Sequence, residues 1–372
     1  MHLWGSPMIN IAAGTLLALV LASSQAVDES VVSSKGRVAS GAAGTLANVA
    51  PSSRYVGRLL KGLSGASGYT GKGVTVALID SGVDTSHPDL KGAVVTEACF
   101  CVTASGAPCC PDGTKQQLGP NAARDDVGHG TAIAGIIAGR GRVAPKGIAP
   151  QSKLIAVRVA DAQGRTSAES MIQALDWLIA SHPEVRVVNM SLGTFATYPG
   201  ICDSASAITK AFAERGRILR ERGTTVVAAA GNDARAGEIM VPACVSAFLS
   251  VGAVYTDDGQ TASYGNCSDV APVVDQVACF SNSSVALDLL APGTGVVSSY
   301  PGKRSAIGSG TSQATAVVSG AAALLAEARP TPAAGKIEDA LRSSGAPIRD
   351  SRTGLVTARL SLLTAIASLK AY

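Results

Sequence analysis

Six short apolar runs constrain what this chain can fold into more than any other feature. They are VTVALID (74–80), LIAVRV (154–159), VRVVNMSL (185–192), TTVVAAAG (224–231), FLSVGAV (248–254) and ALDLLA (286–291). Most are nearly continuous in Val, Leu, Ile and Ala rather than alternating with polar residues, the pattern of strands covered on both faces. Helical stretches lie between them. Thr166-Ser-Ala-Glu169 reads as a capping box, after which Met171, Ile172, Leu175, Leu178 and Ile179 recur at helical spacing until Pro183. A second helical stretch runs from about Ser204 to Arg222 and stops at Gly223. Strands alternating with helices predict an α/β fold: a doubly wound, mostly parallel sheet with helices on both faces. The functional site of such a sheet lies beyond the carboxyl ends of its strands. Asp80, Ser191 and Asn232 each stand at such an end.

The 372 residues are 47% hydrophobic but only 4% aromatic, so small aliphatic side chains must build the core. A scattered net charge of +4, with no basic block, argues against a nucleic-acid partner. Residues 1–26 read as a secretory signal peptide, with an apolar run from Ile11 to Ala22 and a cleavage site at Ser24-Gln25-Ala26. No Lys or Arg precedes that run, which leaves an uncleaved anchor as the alternative. After cleavage no membrane span is expected, because nothing later approaches about 18 unbroken apolar residues. Residues 27–54, rich in Ser, Ala and Gly without periodicity, read as a linker or short pro-segment, and 55–372 as one domain. A secreted or periplasmic monomer is the expectation.

Export favours disulfides among the eight cysteines, Cys99, Cys101, Cys109, Cys110, Cys202, Cys244, Cys267 and Cys279. CFCVTASGAPCC forms a Cys-rich insertion whose adjacent Cys109 and Cys110 are poorly placed to bond each other. Two cross-links from its CFC side to its CC side would staple it. Cys267 with Cys279 would close a short loop and leave Cys202 with Cys244, out of about 105 possible connectivities. A zinc site with four thiolates is the alternative, although the spacings match no usual C-x2-C pair.

Three segments carry chemistry. Asp80-Ser81-Gly82 ends the first strand, His129 sits between glycines in DDVGHGTAIAGIIAG, and Ser312 opens an Ala-rich helix in GSGTSQATAVVSG. Each alone reads as a cap or a turn. Together they supply what a serine nucleophile needs: an imidazole to take its proton and a buried carboxylate to hold that imidazole. The positive end of the Ser312 helix favours an oxyanion, and Asn232 in AAAGND supplies a side-chain donor. Asp125 and Asp126, just before His129, read as a solvated loop edge rather than a second charge partner.

These segments, in the order Asp, His, Asn, Ser, resemble the subtilisin family of serine peptidases. The matching stretches are ALIDSGVDTSHPDL, GHGTAIAG, NMSLG, AAAGND, VALDLLAPG and GTSQATA. With EDALRSSGAP near the C-terminus they span nearly the whole chain from Tyr55. The resemblance implies Ser312 as nucleophile, His129 as general base, Asp80 orienting it, and Asn232 in the oxyanion hole with the Ser312 backbone N–H. It implies that Ser191-Leu192-Gly193 pairs with the substrate backbone while Ala229 and Ala230 wall the pocket for the residue before the cut. Gln313 and Ala316 replace the family's usual Met and Pro behind the nucleophile and remove no catalytic atom. The family often binds structural calcium. Asp89 matches one usual ligand, but Arg140 and Arg142 in GRGRVAPKG are poor neighbours for a cation, and the chemistry itself requires no cofactor. GRGRVAPKG also lacks the context of a phosphate loop. The stretch before the domain is short for a folded inhibitory prodomain. Either maturation differs from the family's or that stretch serves as an extended plug over the cleft. Sequons fall at Asn189, Asn266 and Asn282.

The expected activity is a secreted serine endopeptidase working through an acyl-enzyme on peptide or protein substrates. The alternatives are a processing protease or transpeptidase dedicated to one peptide, and a pseudoprotease that only binds peptides. For specificity, Met240 at the pocket base would suit a small or medium apolar side chain, and Asp233 a basic one.

Overall fold

The computed structural model describes residues 68–370 except 266 and 332, together with the backbone of Gly36–Arg37. Residues 1–26, read as a signal peptide, and nearly all of the 27–54 segment therefore lie outside the described residues. Gly36–Arg37 pairs antiparallel with Arg165–Thr166.

The strands of the main sheet are β1 (Thr75–Asp80), β2 (Val94–Phe100), β3 (Gln116–Leu118), β4 (Lys153–Arg158), β5 (Val185–Met190), β6 (Thr225–Ala229), β7 (Leu249–Val254), β8 (Leu289–Pro292), β11 (Ala346–Arg349) and β12 (Val356–Arg359). A separate hairpin, β9 (Val296–Tyr300) and β10 (Arg304–Gly308), falls between β8 and β11 in the chain. The ten-stranded order is β11-β12-β8-β7-β6-β5-β1-β4-β2-β3. Its inner strands run parallel, and only the outermost strands, β11 and β3, are antiparallel to their neighbours. All six apolar runs became strands of this sheet.

Helices cover both faces. On one side lie α1 (His129–Ala138), α4 (Thr311–Ala328), α5 (Ala334–Ser343) and α6 (Leu362–Lys370); on the other lie α2 (Ala168–Ser181) and α3 (Ala207–Glu221). The period-2 alternation of a strand feeds both cores. Val76 and Leu78 of β1 point into the first core, and Ala77 and Ile79 into the second. With so few aromatics, the first core is filled by the alanines of α4 against Ile133, Ile136 and Ile137 of α1.

Two boundaries moved. The cap of α2 is Ser167, whose hydroxyl accepts from Ser170 N, one residue later than the Thr166 box. Thr166 instead donates its hydroxyl to the Val159 carbonyl. The capping box of α3 is Ser206 with Thr209, and Gly223 beyond its end takes a left-handed φ of 85°. The cysteines pair as Cys99–Cys110, Cys101–Cys109, Cys202–Cys244 and Cys267–Cys279. Disulfides consume the thiols that a zinc site would need, and among the described residues no cluster of three or more His, Cys, Asp or Glu side chains is arranged to hold a metal. No helix among the described residues is long and apolar enough to cross a membrane.

Candidate active site

Strand β1 ends in Asp80, whose side chain is 1% exposed. The chain then turns at Gly82, where φ is 113° and a Cβ would stand 2.5 Å from the Ala123 carbonyl oxygen. Helix α1 starts hard against this turn. A Cβ on Gly130 would stand 2.0 Å from the Gly82 oxygen, so only glycine lets the helix approach so closely. The approach brings His129, first residue of α1, onto Asp80, with Nδ1 2.7 Å from Asp80 Oδ1. The carboxylate fixes Nδ1 as the protonated nitrogen. That leaves Nε2, which is buried and has no hydrogen-bond partner among the described residues, as the free base. Burial disfavours the imidazolium, yet the net pKa of His129 is raised: the charge and hydrogen bond of Asp80, with the charge of Asp125, outweigh desolvation.

Ser312 is the second residue of α4, which follows Gly310. Its Oγ donates to the Ser191 carbonyl at 2.9 Å, and Ser191 Oγ donates back to the Ser312 carbonyl at 2.9 Å. Ser191 follows β5, which lies beside β1 with Met190 opposite Ile79. The strand ends carrying Asp80 and Ser191 are therefore one strand spacing apart, about 4.8 Å. In this conformation the Ser312 hydroxyl points to Ser191 and makes no hydrogen bond to His129.

Asn232, just beyond β6, accepts at Oδ1 from Thr311 N at 2.8 Å and from the Thr311 hydroxyl at 2.9 Å. Its amide nitrogen is left as the available donor on a wall of the cavity that Ser312 also lines. Neighbouring Thr311 thus fixes which way the amide faces, a role the sequence reading did not assign. Ser191, Leu192, Gly193 and Ala229 line the same cavity. Ala230 does not: the alternation along the strand turns it into the second core. The centre of a water-sized sphere can range over ≈ 30 Å³ of this cavity, room for roughly two waters. Met240 limits it, since a Cβ on Gly193 would meet Met240 Sδ at 2.5 Å and one on Gly231 would meet its Cε at 3.2 Å. Asp233 stands at the rim and accepts from Asn282 Nδ2.

Asp125 and Asp126 do not share one environment. Asp126 pairs with Arg124 and with buried Arg158. Asp125 turns inward and accepts hydrogen bonds from Ser81, Val127, Gly128 and Thr131, which corrects its reading as a solvated edge. Asp89 has both oxygens occupied by donors: the Arg142 and Val143 amides on Oδ1, and the Ala144 amide and Ser299 hydroxyl on Oδ2. A carboxylate saturated by N–H and O–H groups is arranged for donors and not for a cation, so it does not fit the calcium role. Asn189 and Asn282 are fully buried, which places both sequons out of reach of glycosylation, and Asn266 lies outside the described residues.

A buried Asp–His pair at the carboxyl edge of a parallel sheet, with a serine at the start of a neighbouring helix, is the arrangement of the nucleophilic-serine hydrolases. Comparison with known proteins narrows the class. The family model described as "Subtilase family" matches residues 71–355. The chain is 33% identical over 283 residues to subtilisin of Bacillus pumilus, covering 75% of this chain and 86% of that one. It is 32% identical over 290 residues to subtilisin E of Bacillus subtilis (strain 168), covering 77% of this chain and 64% of the relative's length. Among solved structures, a protease from Pseudoalteromonas arctica PAMC 21717 superposes with a TM-score of 0.66 at 25% identity, covering 82% of this chain and 94% of that one. The chain belongs to the subtilase family, whose members are serine-type endopeptidases.

Proposed function

We propose that this chain is an exported serine endopeptidase that cleaves peptide bonds through an acyl-enzyme. The Ser312 hydroxyl swings from the Ser191 carbonyl to His129 Nε2, which takes its proton as Oγ attacks the scissile carbonyl. Asp80 holds the ring and balances the imidazolium that forms. The Asn232 amide and the Ser312 N–H, at the positive end of α4, receive the oxyanion. His129 then returns the proton to the leaving amine, and water resolves the ester by the same steps. The freed Ser191 carbonyl and the extended Leu192–Gly193 backbone are available to pair with substrate. The observation that carries this reading is the 2.7 Å contact of His129 with Asp80, which leaves Nε2 buried and unpartnered.

The decisive experiment is labelling with a fluorophosphonate beside a Ser312→Ala variant. Labelling of Ser312, and a fall in kcat of about 10⁶-fold in the variant, are expected; the size is the one such a deletion has in subtilisin itself. A folded protein whose Ser312 stays unlabelled would instead be a peptide binder. Mass spectrometry of products from a peptide library should show hydrolysed fragments, and cyclised or single-motif products would replace that reading with a dedicated processing enzyme.

For specificity, Met240 in the pocket wall favours a small or medium apolar side chain before the cut. Met240→Ala should move the preferred residue before the cut toward Leu and Phe by about tenfold or more in kcat/KM. Export rests on the four disulfides and the N-terminal apolar run, and a mature protein beginning after Ala26 is the expected result of N-terminal sequencing.

A further inference from the structure

Asp125 is a carboxylate with more hydrogen bonds than a helix cap needs. Its Oδ1 accepts from Ser81 Oγ at 2.9 Å, Val127 N at 3.1 Å and Gly128 N at 2.8 Å. Its Oδ2 accepts from Thr131 N at 2.9 Å and the Thr131 hydroxyl at 2.5 Å. Those donors belong to two separate pieces of chain. Ser81 follows Asp80, donates its own N–H to Asp80 Oδ1 at 2.7 Å, and accepts at Oγ from Gly130 N at 2.9 Å. Val127 and Gly128 immediately precede α1 and Thr131 lies in its first turn, so the three flank His129. Each end of the Asp80–His129 contact is thus one residue from a group that Asp125 or its partner Ser81 holds.

We propose, on the reading that His129 is the general base, that Asp125 is the positioning residue of this reaction. It braces the strand end that carries Asp80 against the helix start that carries His129, and it sets the negative field in which the imidazolium forms. The groups around that helix start leave this task to Asp125. β1 brings Asp80, the orienting partner itself. β4 brings Arg158, already taken by Asp126 and the Arg124 carbonyl. β9 brings Tyr300, whose hydroxyl donates to the Val127 carbonyl. The turn after β1 brings Asp84, held by Ser86 and the Gly302 amide. The acid of α4, Glu327, sits at the far end of its helix on the amides of Thr70 and Gly71.

Asp125→Asn keeps the shape of the side chain but removes its charge and turns one acceptor into a donor facing donors. The expected result is a fall in kcat of about tenfold or more with KM within about threefold, the signature of an interaction needed in the transition state. Losing a nearby negative charge also disfavours the imidazolium, so the acid limb of the kcat/KM profile should move down by roughly half a pH unit. In the Ser312→Ala background, NMR titration of His129 should show the same downward shift, which separates this effect from any fault in the nucleophile. Ser81→Ala keeps the charge and cuts the brace, so it should lower kcat while leaving the limb in place. An Asp125→Asn protein with lowered Tm but unchanged kcat and an unmoved His129 titration would reduce Asp125 to a structural cap. Loss of fluorophosphonate labelling in the wild type would defeat the underlying reading and not this proposal alone.

Discussion

The Asp80 carboxylate has one reason to be buried at a strand end, and it is the imidazole laid across it. The pairing has a pH consequence. A base works only when neutral, and Asp80 and Asp125 together raise the pKa of His129 despite its burial. The acid limb of kcat/KM should therefore lie above the ordinary imidazole value of about 6.5, with full activity only on the alkaline side. A limb at or below that value, from rates measured between pH 5 and 9, would contradict the surroundings described here. Asn232 is the second residue with a separable role. Asn232→Ala should lower kcat by about 10² to 10³, the range found for the subtilisin oxyanion donor, with little change in KM. The positions of Asp80, His129, Asn232 and Ser312 at strand ends and helix starts could be read from the sequence, because the proposed chemistry ties them together. That of Asp125 could not, since its partners Ser81 and Thr131 meet only after α1 has docked on Gly82.

At the scale of elements, the strands that could be read were those buried on both faces. β2 was missed because Val94–Phe100 is half-exposed, carries Glu97 and runs into the disulfide insertion, so neither a continuous nor an alternating pattern emerges. The β11–β12 pair was missed for a similar reason: at the sheet edge its residues are largely exposed or half-buried, and pairing replaces burial as the organising force. The cysteines were readable as pairs, with spacing limiting the choices. Their contributions should differ with the length of chain they close. By the loop-entropy relation, Cys202–Cys244, separated by 42 residues, restricts the unfolded chain by about 4 kcal/mol, and Cys267–Cys279, separated by 12, by about 3 kcal/mol. Replacing each pair by serines should thus lower the Tm in both cases, and more for the first, as calorimetry would register. The reverse order would mean that local packing outweighs chain entropy.

For the whole molecule, several acids are tuned to make the fold sensitive to low pH. Burial alone would raise the pKa of Asp89, but the amides of Ala144, Arg142 and Val143 and the Ser299 hydroxyl lower it below the usual carboxylate range. Asp350 is lowered in the same sense, its burial outweighed by Arg352. A depressed folded-state pKa contributes stability that is complete above the unfolded value of about 4 and is lost as pH falls through the folded one. Asp89→Asn should consequently be less stable at pH 7 and show a shallower loss of stability below pH 4 in denaturant titrations. The destabilisation should be equal with calcium and with a chelator present, because the partners it loses are amides and a hydroxyl.

Amides and hydroxyls are covalently part of the chain and never dissociate from it. The corner of the fold around Asp89 is thereby insulated from whatever sequesters divalent ions in the medium. Its weak point becomes acid instead, so a habitat with abundant chelators would leave this junction intact where an acidic one would loosen it.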